Sequence, residues 1–211
     1  DSLSGGNSDN TLRGLGGNDT LDGRGGFDRA DYRPATDAGV TVNLAAGTVV
    51  GGAQVGTDTL RSIESVRTTM KGDFFDATGF SGQSINAGSF GSLNAVEALG
   101  GDDTIVGNGS TRVMYEFALL PVYVDLGQGY SDALYEADKT RSEYLTVGRD
   151  TLTGVNAIRG SSFGDVLIGG SKAAAFNTVG NLTSPTAGTV GPSTSTAGTT
   201  SAATQSSAGY Y

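Results

Sequence analysis

The sequence predicts an all-β fold: a solenoid of short stacked strands, built as two related modules of roughly eighty residues and followed by an extended tail. Three observations predict it. Apolar residues recur at every ninth place in the opening "DSLSGGNSDNTLRGLGGNDTLDGRGGFDRADY". Four longer segments then recur in the same order. Between them run short alternations such as Val40, Val42 and Leu44, the period of a strand with one buried face. Composition agrees, because charged residues are only 17% of the chain while Gly, Ser, Thr, Asn and Val suit turns and strands.

Written in register, the opening reads DSLS, GGNSDNTLR, GLGGNDTLD and GRGGFDRAD. Each full unit has a glycine-rich loop, an acid or amide at its sixth place (Asn10, Asp19, Asp28) and an apolar residue at its eighth (Leu12, Leu21, Ala30). Asp1 and Leu3 fill those places in the first, partial unit. Loop glycines Gly5, Gly14, Gly16, Gly23 and Gly25 let carbonyl oxygens turn inward without steric penalty. A hard cation such as Ca²⁺ takes roughly six to eight oxygens from carboxylates and carbonyls. If two units make one coil, Asp1 lies over Asp19 and Asn10 over Asp28, and facing loops enclose a calcium ion. Asn10 departs from the aspartate pattern and Ser8 replaces a loop glycine, so the Asn10–Asp28 site is expected to be the weaker.

This pattern resembles the RTX, or haemolysin-type calcium-binding, nonapeptide family. The resemblance implies a right-handed parallel β-roll with several Ca²⁺ ions in rows along its turns. It also implies a secreted protein, one whose family carries a type I secretion signal at the C-terminus. The ending of this chain matches such a signal only loosely.

The longer repeat extends through the chain. "LGGNDTLDG" at 15–23 recurs as "LGGDDTIVG" at 99–107, and "VTVNLAAG" at 40–47 as "VYVDLGQG" at 122–129. "VGTDTLRSIESVR" at 55–67 recurs as "VGRDTLTGVNAIR" at 147–159, and "KGDFFDATG" at 71–79 as "FGDVLIGGS" at 163–171. The first module therefore covers 1–97, with nonapeptides at 1–31, and the second 98–170, with an insertion at 130–146. The alternating Val40, Val42, Leu44 and Val122, Val124, Leu126 are expected to be coil walls continuing the solenoid. Asp73 and Asp165 each begin a turn, and Asp103, with Asp102 beside it, takes the place of Asp19. These four join the candidate metal ligands. "NGSTRVMYEFALL" replaces the second glycine loop of the later module, so a counterpart of the Asp28 site is not expected there.

The insertion carries Tyr130, Tyr135 and Tyr144 and reads as a solvated loop or as an interaction surface. Residues 171–211 form a Ser/Thr/Ala/Gly-rich tail whose one charge is Lys172. Alone it buries too little apolar surface to offset chain entropy, so a neighbouring subunit is expected to hold it as an added strand. An Asn-Leu-Thr sequon at Asn181 would accept a glycan.

Catalysis is not expected. The chain has no cysteine and no histidine, which excludes thiolate chemistry and the usual Ser-His-Asp triad. Gly160-Ser161-Ser162-Phe163-Gly164 satisfies a nucleophile-elbow pattern but has no base to serve it. A net charge of −9 argues against nucleic acid and for cations, and no apolar run is long enough to span a membrane. Two functions of different class follow. One is an extracellular structural protein whose copies join head to tail into a filament, surface layer or matrix, with a cell-surface glycan as a further candidate partner. Its motive is that DSLS is the second half of a nonapeptide, which leaves an open coil. The other is an accessory calcium-folded module of a larger secreted enzyme, toxin or adhesin.

Overall fold

The computed structural model describes residues 1–141 and 145–170. Tyr144 and the tail at 171–211 lie outside the described residues, as do the expectations placed on them. Among the described residues the chain is all-β, with no α-helix and short 3₁₀ turns such as Glu136–Thr140.

Two walls of parallel strands make the roll. On one, β1 (Ser2–Ser4) pairs with β3 (Thr20–Asp22), and β3 with β7 (Thr57–Arg61). On the other, β2 (Thr11–Leu12) pairs with β4 (Arg29–Asp31), β4 with β8 (Ser65–Arg67), and β8 with β10 (Asn94–Glu97). The register Leu3↔Leu21↔Leu60 and Leu12↔Ala30↔Val66↔Val96 stacks the apolar residue of every coil. Two nonapeptides therefore make one turn of the solenoid. Leu21, Ala30, Leu60, Val66 and Val96 are fully buried, while Leu3 and Leu12 pack half-buried against the core.

The long strands β11 (Thr104–Met114) and β14 (Asp150–Arg159) run through both walls. The first half of β11 pairs with β9 (Phe74–Asp76), its second half with β10, and β14 lies along its length. This continuous strand stands where the sequence lacks a second glycine loop. Val113 is fully buried on it, whereas Val155 and Ile158 on β14 are half-buried.

The alternating segments lie in the wall, but as hairpins and not as successive parallel coils. Thr41–Asn43 (β5) and Thr48–Val50 (β6) form an antiparallel hairpin inserted between β7 and β9. Val122–Asp125 (β12) and Tyr130–Ala133 (β13) repeat it between β14 and β15 (Val166–Ile168). The physical reason is the short link: Asn43 to Thr48 and Asp125 to Tyr130 leave room only for a tight turn, which joins antiparallel neighbours. The hairpins still bury Val42, Val49, Val122 and Val124 in the common core, as the period-two pattern requires. Tyr130–Ala133 is thus the partner arm of a hairpin, the counterpart of Thr48–Val50, and the extra length of the second module lies after it. Tyr130 stacks on Tyr123 at 5.6 Å, and Tyr135 is exposed.

Candidate metal centre

The acids stand at the corner where the chain enters each wall. Their order is set by the sequence: Asn10, Asp19, Asp28, Asp58, Asp103 and Asp150 each lie two residues before an inward apolar side chain. In-register stacking then brings them into rows. Along these rows one carboxylate oxygen caps the backbone N–H of the preceding coil. Asp19 Oδ1 accepts from the Asp1 nitrogen, and Asp58 Oδ1 from Asp19 N–H (2.9 Å). Asp28 Oδ1 accepts from Asn10 N–H (2.7 Å), and Glu64 Oε2 from Asp28 N–H (2.9 Å). Further on, Asp103 Oδ1 accepts from Asp73 N–H (2.8 Å) and Asp150 Oδ1 from Asp103 N–H (3.0 Å).

The second oxygen divides these acids into two kinds. Asp58 Oδ2 takes the Tyr32 hydroxyl (3.0 Å), and Asp150 Oδ2 takes both Tyr115 (2.7 Å) and Ser131 (2.8 Å). Asp73 accepts from Val40 N–H and from the Thr69 N–H and hydroxyl; Asp165 accepts from Val122 N–H and from the Ser161 N–H and hydroxyl. These four carboxylates are saturated by neutral donors. By contrast Asp19 Oδ2, Asp28 Oδ2, Glu64 Oε1 and Asp103 Oδ2 are buried and meet no donor. Burial raises the Asp28, Glu64 and Asp103 carboxyls above their ordinary range, and for Asp103 the neighbouring Asp150 and Asp73 charges add to it. An acid desolvated without a counter-charge is costly, so these oxygens are built for a cation or a proton.

The loops around them are shaped by the same oxygens. A Cβ at Gly14 would strike Asp19 Oδ2, and one at Gly23 would strike Asp28 Oδ2 and the Ser62 carbonyl. Gly5 meets Asn10 Oδ1 and the Gly23 carbonyl in the same way. Leu15 and Arg24, nine residues apart, hold positive φ (66° and 68°), as do Gly17 and Gly26 two places on. Gly16 faces the Ala53 carbonyl, and Gly25 packs on the Asn7 backbone. The donor set is therefore carboxylate, amide and carbonyl oxygen, the set a hard divalent cation prefers. Among the described residues no three His, Cys, Asp or Glu side chains gather into a metal cluster, so carbonyls have to complete any shell. Asp102 lies outside the rows and accepts from Arg149 N–H (2.9 Å).

Sequence reasoning passed over Asp58, Asp150, Glu64 and Glu97. The first two carried a readable signal, since Asp-Thr-Leu or Asp-Thr-Ile occurs at 19–21, 58–60, 103–105 and 150–152. Glu64 and Glu97 carried none, because their place depends on which coils stack. Glu97 closes a charged row, Arg13–Asp31–Arg67–Glu97, in which Arg13 and Arg67 bond Asp31 at 2.6 and 3.3 Å. Both Glu97 oxygens are buried, and burial followed by the Glu116 charge pushes its carboxyl up to about 7. The Gly160–Gly164 pattern lies in the turn before β15, where Ser161 serves Asp165.

No described helix is long and apolar enough to cross a membrane. No curated protein matches the chain at a significant level. Residues 1–30 match the haemolysin-type family described as the RTX calcium-binding nonapeptide repeat, in four copies, and these are the residues in which Asp19 and Asp28 hold their unpartnered oxygens.

Proposed function

We propose that this chain is an extracellular structural protein whose β-roll folds on calcium and whose copies associate end to end. The observation that carries the calcium part is the pair of fully or almost fully buried aspartates, Asp19 and Asp28, each with a bare oxygen against a glycine loop. Without metal these carboxylates repel one another and lack partners; with metal, binding energy becomes folding energy. Extracellular sites bind at about 10⁻⁴–10⁻³ M, so at millimolar calcium each contributes on the order of 0.4–1.4 kcal/mol. Several together make order conditional on export from a calcium-poor cytoplasm. Asp73 and Asp165, already saturated, stand outside this metal set; Asp1, Asn10, Asp19, Asp28 and Asp103 remain in it.

Association is supported by β15. It pairs with β12 along one edge, and Val166, Leu167 and Ile168 are 38–45% exposed. Such an edge is a template for another strand. The Asp-x-Leu of β1 matches the Asp-x-Leu of β15, so a second copy stacked there would continue both the acid row and the apolar row.

Far-UV circular dichroism in calcium and in EGTA tests the first part, and electron microscopy of the same samples the second. We expect the full β-signal and ordered assemblies in calcium only, with part of the β-signal lost in EGTA. The same β-spectrum in EGTA would overturn the calcium reading. A stable monomer at saturating calcium would instead favour the accessory module of a larger secreted protein. Replacing Asp1 and Asp19 together by alanine should lower the calcium-saturated melting point more than Asn10→Ala.

A further inference from the structure

Asp28, Glu64 and Asn94 immediately precede Arg29, Ser65 and Ala95, which pair in register across β4, β8 and β10. They therefore occupy one position in three successive coils, about 4.8 Å apart. All three are completely buried, and each has one oxygen without a donor: Asp28 Oδ2, Glu64 Oε1 and Asn94 Oδ1. Their other polar atoms are engaged. Asp28 Oδ1 and Glu64 Oε2 cap backbone N–H groups, and Asn94 Nδ2 donates to the Ser92 carbonyl and Asn108 Oδ1, both at 3.0 Å.

Glycines stand against two of these oxygens. A Cβ at Gly88 would collide with Glu64 Oε1, just as one at Gly23 would collide with Asp28 Oδ2 and the Ser62 carbonyl. Ser62 itself holds a left-handed φ of 50°. The charges acting on Glu64 are those of Asp28 and Asp9, both negative. Two buried carboxylates thus stand beside the Ser62 residue, with no basic side chain among the charges acting on Glu64.

We propose that these atoms form a calcium site that lies beyond the nonapeptide block, with Asp28 Oδ2, Glu64 Oε1 and the Ser62 carbonyl as ligands. It builds on the calcium reading of residues 1–30 and extends it, since Ser62 and Glu64 lie outside the matched repeats. A doubly charged ion neutralises the two carboxylates. A neutral, irregular, all-oxygen remainder suits calcium better than magnesium, which demands near-octahedral geometry and keeps its waters. The site fastens the last glycine loop to the coils stacked on it, so the repeats and the following module order together.

Calorimetric titration of the full chain with calcium counts the ions bound. Glu64→Gln keeps the side chain's shape and its cap on Asp28, and removes the charge. Gly88→Ala keeps every ligand and crowds the Glu64 carboxylate and the Ser62 backbone beside it. We expect Glu64→Gln to bind one calcium fewer per chain, and Gly88→Ala to weaken one site by tenfold or more, with the others unchanged. Magnesium should not substitute at the same concentration. If Glu64→Gln does not fold in calcium, Gly88→Ala decides. Wild-type stoichiometry and affinity in Gly88→Ala, or in a folded Glu64→Gln, would overturn the site. Asp19→Asn separates this from failure of the calcium reading itself: an ion lost there but not with Glu64→Gln refutes only the added site, whereas no calcium bound by wild type refutes both.

Discussion

Asp28 and Asp150 hold the same kind of corner in the roll, yet one ends on a bare oxygen and the other on two hydroxyls. Backbone geometry does not distinguish them, because each caps the N–H of the coil before it. What differs is the residue opposite. Tyr32 and Tyr115 close Asp58 and Asp150; Thr69 and Ser161 close Asp73 and Asp165. At Asp19, Asp28 and Glu64 the facing residue is a glycine, joined at Asp28 by the Ser62 carbonyl. A solenoid can neutralise a corner acid with a hydroxyl, which makes the coil self-sufficient, or leave it open, which makes the coil depend on a cation.

Removing calcium should therefore act unevenly. In EGTA, hydrogen exchange should speed up by about tenfold or more in β1 to β4 and at 62–67, while β12 to β14 keep most of their protection. Equal loss of protection throughout would mean that the two kinds of corner share one fate. The converse experiment attacks a closed corner. Tyr115→Phe strips one donor from the fully buried Asp150 and should cost about 1–3 kcal/mol, equally in calcium and in EGTA. A cost that appears only in calcium would place Asp150 among the open corners.

Much of this division was written in the sequence, though not as a division. The nine-residue rhythm gave the stacking of Asp1 on Asp19 and Asn10 on Asp28, because every coil in that block has equal length. Beyond Asp31 coil lengths change: Ala30 pairs with Val66, then Val66 with Val96, then Val96 with Val113. No fixed period survives such changes, so Glu64, Asn94 and Glu97 could not be assigned a row. The hairpins were misread for a related reason. Val40–Leu44 alternates like any half-buried strand, and alternation carries no information about the direction of its neighbour. The hydroxyl closures are long-range contacts of single residues, such as Tyr32 with Asp58, and leave no periodic trace.

Glu97 provides a comparison by pH. Its unfolded carboxyl titrates near the ordinary value, whereas burial and Glu116 push the folded one up to about 7. The folded chain binds the extra proton between those values, so the stability this group supplies is full below about pH 4.5 and is lost as pH rises through 7. Asp150, pushed up to about 7 chiefly by burial, acts in the same direction. In EGTA, stability should fall across this window by on the order of 1–3 kcal/mol for Glu97, and Glu97→Gln should flatten that share of the slope. A slope unchanged in Glu97→Gln would mean that Arg67 and Arg29 hold its charge after all.

The smallest effect separates adjacent residues of one open loop. Arg24 is exposed with φ of 68°, a left-handed conformation that costs a side chain roughly 1–2 kcal/mol and glycine almost nothing. The corresponding place in the preceding unit but one is Gly6, so the loop accepts glycine there. Arg24→Gly should therefore stabilise the chain, by about 0.5 kcal/mol once glycine's greater freedom in the unfolded state is subtracted. Gly23→Ala, one residue earlier, should do the reverse, because its methyl group would occupy the space of Asp28 Oδ2 and the Ser62 carbonyl. The two variants also differ in their response to calcium. Arg24→Gly relieves strain that is present with or without metal, so its gain should persist in EGTA. Gly23→Ala displaces the oxygens meant for the ion, so its loss should be larger in calcium than in EGTA. A calcium-independent loss for Gly23→Ala would mean that this glycine is required for chain packing alone, and the open corner at Asp28 would then lose its claim to be a cradle.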